Sequence, residues 1–232
     1  YKKVKSNKGK GGIDGMQVDE LLPYLRENQS EIIRQIREGN YKPNPVRRVE
    51  IPKEERGKVR QLGIPTVVDR LIQQAVAQEL SPLFEAQFSK NSYGFRAGRG
   101  QHDALKACKR NVEEGYVYVV SMDLEKFFDT VNHSKLIEIL SRTIKDGRVV
   151  SLIHKYLNAG MTRNGFFEKT EEGVPQGGPL SPLCGNVMLN ELDKELERRG
   201  HRFVRYADDA LIFCKSRKSA ERTLEKIVPL IE

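Results

Sequence analysis

Two β-rich runs, residues 203–206 and 210–214, are separated by only Ala207-Asp208-Asp209. A connection this short closes an antiparallel hairpin, because parallel strands need a crossover of a dozen or more residues. Any fold for the chain must therefore hold an antiparallel sheet with two carboxylates at a hairpin tip. Around that hairpin lie stripes of helical period. Val68, Leu71, Ile72, Ala75, Val76 and Leu80 share one face of a helix opened by Thr66 and Asp69. Leu136, Ile137, Leu140 and Ile144 mark a second helix, and Leu152, Ile153, Tyr156 and Leu157 a third that stops at Gly160. Helices and strands interleave without regular βαβ alternation, so the expected class is α+β.

The remaining punctuation divides the chain further. The Lys- and Gly-rich stretch through Gly15 has no periodicity and is expected to be a mobile arm, with order beginning near Met16. Ser30 is the expected N-cap of a short helix carrying Ile32, Ile33 and Ile36 and closed by Gly39. Residues 46–51 and 58–64 read as a hairpin with the polar tip Glu54-Glu55-Arg56-Gly57, and Asn164-Gly165 as the turn of another. A β-rich run over 116–122 delivers Asp123 at its end. A helix should start at Ser181-Pro182 and end before Gly200, and a last one should run from Ser219 until Pro229.

Charge is segregated. The chain of 232 residues is formally +8, yet residues 1–12, 42–60 and 90–110 together carry +14, leaving −6 over the rest. Three basic windows favour a polyanion such as nucleic acid facing the first half. Other chemistries find little support. Cys108, Cys184 and Cys214 lack disulfide or zinc spacing, and His102, His133, His154 and His201 share no metal spacing. No apolar run approaches the roughly 18 residues that span a bilayer, so a soluble protein is expected, and the scattered cysteines read as reduced thiols of an intracellular one. The start, Tyr1-Lys2-Lys3-Val4-Lys5, has neither Met nor an apolar signal segment, which fits a trimmed fragment.

Asp123 at a strand end and Asp208-Asp209 at a hairpin tip would form a triad of carboxylates if their strands are neighbours, an adjacency that sequence alone does not show. Such a triad would repel itself unless divalent cations neutralised it, and Mg2+ prefers carboxylate oxygen completed by water and phosphate. Two ions roughly 3.5–4 Å apart form the clamp used in phosphoryl transfer. Asp is also a common turn residue, so a solvated turn accounts for the pair equally well in isolation.

Five ordered blocks and an N-terminal extension decide between these readings by resemblance. Tyr206-Ala207-Asp208-Asp209 resembles the catalytic hairpin of reverse transcriptases. The segment from Ser121 to Asp129 resembles their first metal-binding motif, and Gly173-Val174-Pro175-Gln176-Gly177-Gly178-Pro179-Leu180-Ser181-Pro182 their template-and-nucleotide motif. Arg60-Gln61-Leu62-Gly63-Ile64-Pro65 and the segment Ser92 to Arg99 resemble fingers blocks of group II intron-encoded reverse transcriptases, or maturases. Asn7-Lys8-Gly9 through Gly15-Met16 resembles the N-terminal extension of that family.

The resemblance implies a right-hand polymerase cut to fingers and palm, with an antiparallel palm sheet backed by helices and basic, largely helical fingers. Residues 1–115 would hold the N-terminal extension and fingers with some palm segments, and 116–232 the palm. The thumb and any DNA-binding or endonuclease region are expected to be absent. It implies an RNA-directed DNA polymerase that also binds its host intron RNA for splicing. Asp123, Asp208 and Asp209, with the Leu124 carbonyl, would hold two Mg2+ ions; Phe128 would exclude a ribose 2′-hydroxyl, and Gln176 would touch nucleotide and template. Lys53 and Arg60 would grip the incoming triphosphate, with Arg56 and Lys58 as alternatives on the same hairpin. Lys8, Lys10, Arg96 and Arg99 would face RNA. Expected partners are group II intron RNA, an RNA template with DNA primer, a deoxynucleoside triphosphate and a second copy of the chain as a homodimer, without a membrane. The expected location is the cytoplasm, bacterial, or an organelle. A splicing cofactor with little polymerase activity, and a bacterial reverse transcriptase outside introns, are the alternatives.

Overall fold

A computed structural model describes residues 1–52 and 59–231. The chain forms two compact units, each built from two segments: residues 1–82 with 128–181, and residues 83–127 with 182–232. The mixture of helices with largely antiparallel sheets is α+β, as the interleaved periodicities predict.

The second unit is organised by a three-stranded antiparallel sheet. Strand β3 (Tyr118–Asp123) pairs with β7 (Asp209–Cys214), which pairs in turn with β6 (Arg202–Tyr206). β7 is therefore the central strand. One sheet face buries Val120, Met122, Phe203, Ala210 and Ile212 against Leu196 of α8 (Ser181–Arg198) and Ile227 of α9 (Arg217–Ile231). The other buries Val204 and Phe213 against Ala104 and Ala107 of α4 (Gln101–Glu113). Helices on both faces explain why β7 is a nearly continuous apolar run from Ala210 to Cys214 rather than an alternating one. Each large side chain so buried stabilises the unit by roughly 1.5–3 kcal/mol. α9 does not end before Pro229 as expected. The helix runs through Pro229, which removes one backbone donor and crowds the Glu225 carbonyl, and continues to Ile231.

The first unit contradicts the reading of a mobile N-terminal arm. Residues Lys2–Ser6 form a short helix, α1, whose Val4 is only 3% exposed. Val4 packs in a cluster with Leu21, Tyr41, Val67, Ile72, Leu152 and Tyr156. Farther on, the carbonyls of Lys10 and Gly11 accept hydrogen bonds from Arg70 and Arg47. One buried valine and two arginine anchors thus fix a segment whose Lys and Gly content suggested disorder. Ser30 is likewise not an N-cap. It lies inside α2 (Leu21–Arg37), which follows a 3-10 turn at Val18–Glu20 with a Gln17–Glu20 capping box. The helix closes at Gly39, in the left-handed conformation, as expected.

Thr66 and Asp69 do start a helix, α3 (Val67–Glu85): the Asp69 backbone N–H donates to Thr66 Oγ1 at 3.2 Å. The buried Asp69 carboxylate also accepts from the Tyr41 hydroxyl at 2.8 Å, the Tyr156 hydroxyl at 3.2 Å, Thr66 Oγ1 at 2.7 Å and the Asn44 backbone N–H at 3.1 Å. Burial and the Asp69 charge raise both tyrosines far above the usual phenol range. Strands β1 (Val46–Pro52) and β2 (Val59–Ile64) make the expected hairpin, its tip lying outside the described residues. β1 continues in parallel onto β4 (Met161–Arg163), which turns through Asn164-Gly165 into β5 (Phe166–Glu168). Both turn residues have positive φ, 51° and 85°, as a tight primed turn requires. Three helices, α5 (Phe127–Thr130), α6 (His133–Thr143) and α7 (Gly147–Leu157), complete the chain order.

Candidate active site

The adjacency that the sequence left open is present. In the β3–β7 register Asp123 stands opposite Asp209, and Asp208 occupies the turn between β6 and β7. Antiparallel pairing brings the end of β3 to the start of β7, so two carboxylates more than eighty positions apart in sequence become cross-strand neighbours, with side chains roughly 4.5–5.5 Å apart at Cβ. Tyr206 pairs with Asp209, which leaves Ala207 and Asp208 as the two turn residues. Ala207 has φ +57°, a conformation costing a non-glycine residue roughly 1–3 kcal/mol.

A buried polar network holds that strained turn. Arg205 Nη1 donates to the Ala207 carbonyl at 2.8 Å and to Asn186 Oδ1 at 3.0 Å, while Nε and Nη2 donate to the two Asp193 oxygens at 2.8 and 2.6 Å. Arg205 and Asp193 are essentially inaccessible to solvent, at 1% and 0%. Burial raises the Asp193 carboxyl, and Arg205 pulls it back down. The segment 91–94 braces the other side. Tyr93 N–H donates to the Arg205 carbonyl, Arg205 N–H donates to the Asn91 carbonyl, and Asn186 Nδ2 donates to the Gly94 carbonyl. A Cβ on Gly94 would lie 2.3 Å from the Ala207 nitrogen, so only glycine allows this approach.

Sequence reasoning did not single out Arg205, Asp193, Asn186 or Gly94 for this role. One signal was available: α8 carries Asn186, Asn190 and Asp193 at helical spacing amid apolar residues, and all three are buried. Asn190 accepts from the Ser89 N–H and donates to the Gln87 carbonyl, so the same stripe fixes the start of the bracing segment.

The electrostatics of the triad suit a hard cation. The Asp209 carboxyl is pushed up by partial burial and by the Asp208 and Asp123 charges. Among the described residues no ion pair compensates any of the three. No group of three His, Cys, Asp or Glu side chains among the described residues is close enough to enclose an ion. Mg2+ does not need such a cage, because it usually retains water and takes one or two carboxylates. An all-oxygen donor set with uncompensated negative charge fits that ion. The Leu124 carbonyl is already engaged by the Phe127 N–H at 3.1 Å.

Phe128 and Gln176 belong to the other unit. Phe128 is buried, and its carbonyl accepts from Val174 N–H at 2.6 Å. Val131 and His133 also fix Gly173: its N–H donates to the Val131 carbonyl, and its carbonyl lies 2.7 Å from His133 Nε2. The Gln176 carbonyl accepts from Gly63 N–H at 2.6 Å, which ties the loop 173–180 to β2. Gly177, at φ +124°, approaches the Gly63 carbonyl so closely that a Cβ would lie 2.3 Å from it. Lys53 lies outside the described residues, as do Arg56 and Lys58. The Arg60 backbone is in β2, opposite Ile51.

Lys8 and Lys10 are exposed. Arg96 does not present its charge to a ligand. Its side chain is 3% exposed, ion-paired with Glu85 at 2.5 Å, and donates to the carbonyls of Ser89 and Ser92. The fold uses Arg96 to set the segment that braces the turn carrying Asp208, a role a charge count cannot separate from RNA contact. Arg99, half-buried over the Tyr93 ring, also donates to the carbonyls of Lys90 and Ser92.

Carboxylates at the adjoining ends of paired antiparallel strands, on a sheet backed by helices, define the palm of a right-hand polymerase. The chain belongs to the reverse transcriptase family: residues 51–231 match the family described as "Reverse transcriptase (RNA-dependent DNA polymerase)". It is similar to the group II intron-encoded protein LtrA of Lactococcus lactis subsp. cremoris, 42% identical over 194 residues that cover 84% of this chain and 32% of that protein. Protein YkfC of Escherichia coli K12 is 40% identical over 192 residues, covering 81% of this chain and 50% of its own. The chain thus spans a third to a half of the length of these relatives. Among solved structures, a partial Cas6-RT-Cas1–Cas2 complex aligns over 90% of this chain and 40% of its own at 26% identity and a TM-score of 0.50. Telomerase from Candida tropicalis shares the fold, with a TM-score of 0.61 at 14% identity over 87% of this chain and 41% of its own.

Proposed function

We propose that the chain is the polymerising core of a group II intron protein, copying RNA into DNA by phosphoryl transfer. The observation that carries this reading is the Asp123–Asp209 register pair beside Asp208. In it, Asp123, Asp208 and Asp209, with the Leu124 carbonyl, hold two divalent ions of the Mg2+ class. Those ions, when bound, supply charge stabilisation to the attacking 3′-oxygen and the leaving pyrophosphate. The protein's own contribution is placement: Arg205 and Asn186 fix the turn so that its carboxylates need no reorganisation as charge develops. Residues 1–115 supply the N-terminal extension and fingers with some palm segments, and 116–232 the palm. Gln176 is assigned to nucleotide and template, Phe128 to exclusion of a 2′-hydroxyl, and Lys53 and Arg60 to the triphosphate. Lys8, Lys10 and the exposed edge of Arg99 are assigned to RNA.

The proposed partners are intron RNA, an RNA template with DNA primer, and deoxynucleoside triphosphates, with homodimerisation as a further expectation. Among the described residues no helix is long and apolar enough to cross a membrane; the cytoplasm or an organelle is proposed as the site of action. A splicing role stands beside polymerisation because relatives include nuclear intron maturase 1 of Arabidopsis thaliana, 31% identical over 233 residues. Primer extension and RNA filter binding on the full-length protein test the reading. Asp123→Asn or Asp208→Asn should abolish nucleotide addition and leave RNA binding nearly unchanged. Extension surviving within about tenfold of the wild type would refute the metal-holding role.

A further inference from the structure

On the sheet face covered by α8 and α9, away from the carboxylate end of the strands, lies a cleft of about 750 Å³. One wall is a single face of α9, with Ser219, Arg222, Thr223 and Lys226 at the i, i+3, i+4 and i+7 positions. The other is the end of α8 and its exit, contributing Arg199 and His201. No acid lines the cleft among the described residues. Arg199 is held in place by Glu195 at 2.6 Å and by the Lys226 carbonyl at 3.2 Å, so its guanidinium is oriented before any ligand arrives. Neither Arg222 nor Lys226 makes an ion pair among the described residues.

Like charges four apart on a helix destabilise it by a few tenths of a kcal/mol, and Lys218, Arg222 and Lys226 form such a row. An anion in the cleft would reverse that cost. The positive potential is visible at His201, whose imidazole is held below its usual range by burial first and then by Arg199 and Lys226. Two cations without an ion pair among the described residues, a guanidinium oriented by Glu195, the Ser219 hydroxyl and an imidazole around a space of this size suit a phosphate ester with part of its nucleoside rather than a bare carboxylate.

We infer that this α8–α9 cleft is a phosphate-binding site, distinct from the triad, that takes a backbone phosphate of an RNA strand. Arg199 supplies the oriented fork, Arg222 and Lys226 add charge, and Ser219 and His201 donate hydrogen bonds. Only the identity of the strand rests on the polymerase reading; the anion chemistry of the cleft does not.

The test uses this chain, a twelve-nucleotide single-stranded RNA titrated at several salt concentrations, and inorganic phosphate titrated against the His201 ring resonances. In Arg222→Gln/Lys226→Gln the log–log salt slope for RNA should flatten by about 1.4, the loss of two phosphate contacts on a single strand. Lys226→Arg should keep the wild-type slope. Phosphate should shift His201 in the wild type and not in the double variant. An unaltered RNA slope with phosphate still moving His201 would reject the RNA strand as the source and leave a free phosphate ester as ligand. An unaltered slope with His201 unmoved would overturn the site. Asp208→Asn, which probes the polymerase reading, should leave the slope unchanged, so the two readings fail separately.

Discussion

Replacing Arg205 with Met isolates what the buried network does. The side chain makes four hydrogen bonds, two of them to Asp193, and both groups are sealed from water. Removing the cation leaves a buried carboxylate without its partner, a change that costs about 3–5 kcal/mol. Asp193 is already raised by burial, and without Arg205 it rises further. A carboxyl whose folded pKa exceeds its unfolded value contributes stability that is present below the unfolded value, about 3.9, and lost as pH rises through the folded one. The loss in Arg205→Met should therefore be larger at pH 7 than at pH 4, shrinking as pH falls through the raised folded value and gone below about 3.9. Arg205→Met/Asp193→Leu removes the orphaned charge and should regain most of the stability, because apolar replacement of a buried pair is often neutral. It should not regain activity, since the Ala207 carbonyl still lacks its anchor. Urea unfolding at pH 7 and pH 4 measures the first effect, and primer extension by full-length protein the second. A single variant that loses less than about 1 kcal/mol, or a double variant as unstable as the single one, would refute the account.

Phe128→Ala should admit ribonucleotides, read as the ratio of ribo- to deoxynucleotide addition; unchanged discrimination would leave Phe128 as a core residue that fixes Val174. Gly94→Ala places a Cβ 2.3 Å from the Ala207 nitrogen, forces backbone to move, and should lower both urea stability and extension, the latter at least tenfold; extension within twofold of the wild type would refute the close approach. Charge reversal at Lys8 and Lys10 should flatten the salt dependence of RNA binding, because α1 and the Arg47 and Arg70 anchors hold both lysines on an ordered surface. The same reversal at Glu113, exposed on α4, should leave the slope as it is.

Local rules made much of the fold legible. The three-residue spacer forced the β6–β7 hairpin, Asn164-Gly165 formed the turn between β4 and β5, Thr66 and Asp69 capped α3, and the apolar stripe of α7 is the buried one, whereas α6 buries Ile139 with Leu136 and Leu140 and leaves Ile137 half-buried. Each depends on residues within one or two turns of chain, where steric and hydrogen-bond preferences act without outside help. The Asp123 strand and the Asp208-Asp209 tip were readable for the same reason. Their convergence was not, because the β3–β7 register is set by contacts between segments far apart in sequence. Tertiary packing alone decided that Val4 anchors the N-terminal segment, that α2 begins at Leu21, and that Arg96 spends its charge on Glu85 and two carbonyls. It also turned Arg205, one arginine among many in a basic chain, into the buried support of the turn at Ala207-Asp208. A residue's charge is written in the sequence, but whether that charge meets solvent or a buried carboxylate depends on which distant segments close around it.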